Sequence, residues 1–109
     1  LARRFPDTKI VLQHFGLSQS SEAIEVLKNN TNMYVDTSAL IHPRNILNFI
    51  DEISSDRIMY ASDTIRSHEM TMPQEEINRV IKLKIKPDIL EKIMGKNAYK
   101  LLNSVGVKI

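Results

Sequence analysis

Three stretches of the chain repeat one pattern: a turn built on Asp or Asn, a polar residue, an apolar run of strand length, and a polar end. Asp7-Thr8 leads into residues 9–15, Asn29-Asn30-Thr31 into residues 32–38, and Ser55-Asp56 into residues 57–63. The runs begin at positions 9, 32 and 57, steps of 23 and 25 residues, enough for one strand and one helix each. Between them, Ala23, Ile24, Val26 and Leu27 cluster as a short amphipathic helix, and Ile46, Phe49, Ile50 and Ile53 follow the i, i+3, i+4, i+7 rule. Pro43 suits the first turn of that second helix. Consecutive parallel strands need helical crossovers, and near-continuous apolar runs fit strands buried on both faces, so the pattern predicts a parallel α/β architecture.

Beyond residue 63 no strand-like run of comparable strength recurs. Thr71-Met72-Pro73-Gln74 resembles a capping box opening a helix whose Ile77, Val80 and Ile81 are expected to face inward. Lys86-Pro87-Asp88 starts another, carrying Ile89, Leu90, Ile93 and Met94 to a stop at Gly95, and a last helix runs through Asn97, Ala98, Tyr99, Leu101 and Leu102. Residues 105–109 read as a tail or a small edge strand. At the other end, Leu1-Ala2-Arg3-Arg4-Phe5 is halted by Pro6-Asp7, as though the chain began in mid-element. We therefore expect residues 1–109 to be a single partial domain, with a short N-terminal turn as the alternative. Three open parallel strands leave two unpaired edges, which predicts that the chain oligomerises or is completed by further strands.

Length and composition narrow the class. A chain of 109 residues, 42% apolar and 26% charged, holds one core and is not disordered throughout. The 15 Lys and Arg are interleaved with 13 Asp and Glu, leaving a net charge of +2 and no basic arm. The densest cationic stretch, Arg79 with Lys82, Lys84 and Lys86, is expected at a helix end, where cations complement the macrodipole; a nucleic-acid partner is not expected. With no cysteine, the chain has no disulfide, thiolate nucleophile or Cys-based zinc cluster, so any metal must come to His, Asp or Glu. A reducing cytoplasm fits that usage, and no apolar run approaches the roughly 20 residues of a membrane span.

Functional groups of parallel α/β folds collect at the carboxyl ends of the strands. Those ends carry His14, Asp36 and Asp63, a histidine and two carboxylates at equivalent heights that can converge on one metal or one water. Asp36 stands one position further inside its strand and is the one read as structural. The competing reading makes His14 a hydrogen-bonded structural histidine and Ser62-Asp63 a helix cap.

Four motifs in order bear on that choice. Residues 5–16, Phe-Pro-Asp-Thr-Lys-Ile-Val-Leu-Gln-His-Phe-Gly, resemble the sixth barrel strand of the amidohydrolase-related metal-dependent hydrolases, a family that includes aminocarboxymuconate-semialdehyde decarboxylase and related lactonases. Residues 32–38 resemble the family's "NVYVDTS" strand, residues 56–63 its "DRILFGSD" strand with Ala61 in place of the glycine, and residues 92–102 its "KILGGNAARLL" helix. The resemblance implies a (β/α)₈ TIM barrel of which this chain carries about strands six to eight and the closing helices. It implies a divalent metal, zinc by preference, in the full-length parent, bound by Asp63, with His14 beside the metal-bound water or the substrate. It also implies catalysis by His14 and Asp63 on a small organic acid, lactone or amide, by hydrolysis or decarboxylation. The family's first-strand His-x-His pair and fifth-strand histidine have no counterpart in this sequence, so the chain alone is expected to be inactive. Arg66 and His68 after the third strand, with His42 and Arg44 after the second, are candidate substrate contacts. The alternative from another class is a non-catalytic α/β module binding a protein or nucleic acid.

Overall fold

The computed structural model describes residues 1–16, 20–39, 42–63 and 73–108. The three apolar runs form three parallel strands, β1 (Ile10–Leu12), β2 (Met33–Asp36) and β3 (Ile58–Met59), side by side in sequence order. Ile10 pairs with Met33 and Leu12 with Val35, while Val35 pairs with Ile58 and Asp36 with Met59. Helix α1 (Ser20–Lys28) links β1 to β2, and α2 (Arg44–Glu52) links β2 toward β3. The βα repeat of the sequence is therefore the fold, and all three carboxyl ends point the same way.

Each strand is shorter than its apolar run. The chain leaves β1 at Leu12 and turns sharply through Gln13–Gly16, with His14 (φ 58°, ψ 26°) and Phe15 (φ 51°, ψ 26°) both left-handed. His14 is therefore in the turn after β1 rather than on the strand. Asp63, also left-handed at φ 51°, lies beyond β3 in the same way. A bulky residue at positive φ is strained by about 1–2 kcal/mol. Here the strain is offset by burial, because Phe15 enters the core and meets Phe49 of α2 edge-on, ring centroids 5.5 Å apart and planes at 86°.

The core lies between the sheet and the helices: Met33, Val35 and Ile58 meet Ala23 and Leu27 of α1 and Ile46 and Phe49 of α2, with Val80 and Ile93 closing one side. Helix α3 (Pro73–Ile81) buries Val80 but turns Ile81 to solvent and Glu76 inward, a correction to the expected Ile77, Val80, Ile81 face. Glu76 is joined at 3.3 Å by Arg79 one turn on, which partners the buried charge. Lys82, Lys84 and Lys86 are exposed and alternate with half-buried Leu83 and Ile85; the amides of Lys82 and Lys84 bond back to the carbonyls of Asn78 and Ile81, so the cationic stretch begins in the turn that closes α3, at a helix end as expected.

Gly95 does not stop the helix that begins at Pro87. Helix α4 (Pro87–Glu91) runs through a π-helical turn (Lys92–Lys96) directly into α5 (Asn97–Ser104). In that turn the Asn97 amide bonds back to the Lys92 carbonyl, which releases the carbonyl of Ile93. The Tyr60 amide takes it at 2.8 Å, fastening the helix to the chain just beyond β3. Asn97 completes the attachment by donating to Ser55 and Ile58 carbonyls at 2.7 and 2.8 Å. Beyond α5 the backbone of residues 105–108 forms no strand, which leaves the tail reading.

Two polar side chains secure the amino ends of the strands. Arg57 donates to the carbonyls of Leu27, Asn30 and Met33 at 2.9–3.2 Å. Buried Asn32 donates to those of Ala2, Phe5 and Thr8 at 3.2, 3.0 and 2.9 Å, tying the first residues to β2. Asn32→Ala would leave these carbonyls without that donor and is expected to lower stability by about 1–3 kcal/mol, read as a lower denaturation midpoint at unchanged slope. Among the described residues, no helix is long and apolar enough to cross a membrane.

Candidate functional site

The polar end of β2 organises the site. Asp36, Thr37 and Ser38 are three consecutive buried polar residues, exposed by only 8%, 1% and 3%. Such groups are tolerated inside a protein only when hydrogen-bonded, and each of these is. Asp36 Oδ1 accepts from the backbone amide of His14 at 3.0 Å, from the amide of Ser38 at 3.1 Å and from the Ser38 hydroxyl. Thr37 works on the other side: its hydroxyl accepts from the Ala61 amide at 3.1 Å and donates to the Ala61 carbonyl at 3.3 Å. Asp36 thus holds the turn after β1, and Thr37 the segment after β3. The reading of Asp36 as structural agrees with these bonds.

The His14 ring is held in one orientation. Its Nδ1 lies 3.1 Å from the Ser38 carbonyl and 2.9 Å from the Ser38 hydroxyl. A carbonyl only accepts, so this contact assigns the proton to Nδ1. The Ser38 hydroxyl already donates to Asp36 and is left to accept from the ring. In the neutral imidazole Nε2 then carries the lone pair, and this nitrogen faces Asp63 Oδ2 at 3.9 Å. Both side chains are partly open, 24% and 30% exposed. At 3.9 Å they do not bond to each other. They present a nitrogen lone pair and a carboxylate to a common space, the arrangement that handles a proton on a third body between them.

Tyr60, just beyond β3, reaches the first residue of α3. The Tyr60 hydroxyl donates to the Pro73 carbonyl at 3.1 Å at the start of α3. Burial, and then the nearby Glu76 carboxylate, hold the Tyr60 phenol above its ordinary range, which keeps it a donor.

His14 and Asp63 are thus brought together from opposite sides of β2. His42 and Arg44 lie exposed at the start of α2, with no hydrogen bond or ion pair to either. Arg66 and His68 lie outside the described residues, as do Thr71 and Met72 of the expected capping box. The donor set suits a metal in kind, an imidazole nitrogen and a carboxylate oxygen, but not in number: among the described residues no three His, Asp or Glu side chains gather, where a protein metal site ordinarily takes three or more. Ser38 and Thr37 are not among the candidate residues of the sequence, where they stand only as part of the polar end of the second strand. Their signal was a run of three short polar residues directly after an apolar strand, where burial demands partners.

A solved structure of an uncharacterized TIM-barrel protein from Bordetella bronchiseptica is similar to the chain, with a TM-score of 0.74 at 27% identity over 95% of this chain and 37% of that one. The chain thus spans a little over a third of the length of that neighbour. No curated protein matches the chain. The model of the amidohydrolase family matches residues 1–103, which include all three strands and both His14 and Asp63. That match and the strand-end motifs meet at the same level, and the chain belongs to the amidohydrolase family.

Proposed function

We propose that the chain is the part of a metal-dependent hydrolase or decarboxylase barrel that supplies its proton-handling pair, His14 and Asp63, and that the complete enzyme acts on a small organic acid, lactone or amide. The observation that carries this reading is the approach of His14 Nε2 to Asp63 Oδ2 at 3.9 Å, made by two turns that flank β2 from opposite sides. A purely structural histidine needs only the contacts to Ser38, and a helix cap does not require its carboxylate to face an imidazole lone pair. On this proposal the three strands are the sixth to eighth of eight. Three of eight strands is about the share of the neighbouring barrel that the chain covers, 37%.

Asp63 would hold a divalent ion together with ligands from beyond the described residues, and such an ion, when bound, lowers the pKa of its water to about 7. The chain's own residues then divide the work. His14, protonated at Nδ1, has Nε2 open to take a proton from water or to steady a substrate oxygen after receiving one. Asp63 would accept the proton that the water releases on attack and hand that same proton to the leaving group or carbon, with His14 Nε2 beside it. The turns place both groups before substrate arrives, so no reorganisation is needed as charge develops.

The test uses the complete native protein, purified with its bound metal and screened against lactones, amides and small carboxylic acids. His14→Ala is expected to slow turnover by about 10²–10⁴-fold, the range of a lost general acid–base group, while bound metal by elemental analysis stays near the parent level. Parent-like turnover in this variant would remove His14 from the mechanism.

A further inference from the structure

We infer that Ser38, with its hydroxyl set by Asp36, is a positioning residue that fixes His14 in the Nδ1–H tautomer and so aims the Nε2 lone pair at Asp63. The inference rests on the reading of His14 as the proton-handling group, but it is decided by different atoms. A serine hydroxyl is ambivalent, since it can accept from Nδ1–H or donate to a bare Nδ1. The ambivalence is removed by Asp36 Oδ1, which accepts the hydroxyl proton and leaves only the oxygen lone pair for the ring. The Ser38 carbonyl, 3.1 Å from the same nitrogen, acts in the same sense. One residue thus offers the ring two acceptors, its carbonyl by nature and its hydroxyl because the carboxylate two positions earlier takes the hydroxyl proton.

The backbone makes the arrangement specific. Asp36 Oδ1 also takes the His14 amide at 3.0 Å, so one oxygen holds the left-handed turn that presents the ring and orients the hydroxyl that sets its proton. These contacts are made from the buried side: Asp36 and Ser38 are buried, whereas Nε2 points to the partly open side. A tautomer set from the buried side persists whatever occupies the open side, and groups that orient a working histidine in this way are generally worth 10–100-fold in activity.

The experiment is ¹⁵N spectroscopy of the complete protein labelled at histidine. It is run at about pH 8, above the ordinary histidine value near 6.5, so that neutral rings are observed. The His14 signals are identified by His14→Gln, which removes them from the spectrum. In the parent, His14 is expected to show a protonated Nδ1 and a lone-pair Nε2. Ser38→Ala should move both shifts toward an average of the two tautomers and slow turnover about 10–100-fold, and Ser38→Thr, which keeps the hydroxyl, should restore both. A parent His14 protonated on Nε2 overturns the inference, as does a Ser38→Ala spectrum identical to the parent's. If Ser38→Ala shifts the tautomer but turnover does not change, the positioning by Ser38 stands, and it is the role of His14 in catalysis that fails.

Discussion

Asp63→Asn is expected to lower turnover of the complete protein by about 10³-fold or more and to reduce its bound metal, with the fold intact. The substitution keeps the size and shape of the side chain and removes only a negative charge and a proton acceptor. It also suits the backbone: Asp63 sits at φ 51°, and Asn is among the residues that adopt the left-handed region most readily, so the turn is not strained further. An exposed-to-intermediate position with no added cavity should shift stability by no more than about 0.5 kcal/mol. Loss of a general acid–base group accounts for about 10²–10⁴-fold, and loss of an anionic ligand adds the metal effect. Turnover, metal content and melting temperature, measured together, separate this from a structural role, which would lower the melting temperature and leave turnover per folded molecule unchanged. Near-normal turnover with full metal would show that Asp63 is neither ligand nor proton carrier.

The second large effect is on stability. Phe15→Ala should destabilise the fold by about 3–5 kcal/mol, the range for a fully buried aromatic. Phe15 is 1% exposed and packs edge-on against Phe49, a contact worth about 0.5–1.5 kcal/mol beyond its area. Alanine does not relieve the positive φ at this position, so the strain persists after the packing that offset it is gone. His14 is the preceding residue of the same turn. The variant is therefore also expected to lose turnover under conditions where it is still folded, because the ring is no longer held against Ser38. Chemical denaturation with an activity assay well below the transition checks both parts. A midpoint shift of less than about 1 kcal/mol would mean that the turn is held by its hydrogen bond to Asp36 alone.

The parallel α/β class was legible because it depends on local pattern. Apolar runs at residues 9–15, 32–38 and 57–63, each introduced by a turn and followed by an amphipathic segment, admit few other arrangements, and they pair in that order in the sheet. The burial of Ile46 and Phe49 followed from the same helical spacing. Polar residues after apolar strands also marked His14 and Asp63 for attention, since the carboxyl ends of parallel strands share one side.

Other features depended on contacts between distant segments. The strands stop short of their apolar runs because Phe15 gains more by turning into the core against Phe49 than by extending β1, and no local propensity favours a phenylalanine at φ 51°. Gly95 has the local character of a helix stop, yet the helix continues through a π turn because the freed Ile93 carbonyl finds the Tyr60 amide on another element. Glu76 replaces Ile81 on the buried face of α3, with Arg79 at 3.3 Å as its partner, a choice that apolar periodicity does not register. The same distinction governs the site. The sequence by itself determined which residues could do chemistry and on which side of the sheet they lie, because strand polarity and side-chain type are local properties. Only the tertiary structure decided that Asp36 and Ser38 hold the His14 ring by its Nδ1 and that Nε2 meets Asp63 at 3.9 Å, because a hydrogen bond is a matter of a few tenths of an ångström between groups that only the packed sheet and helices bring together.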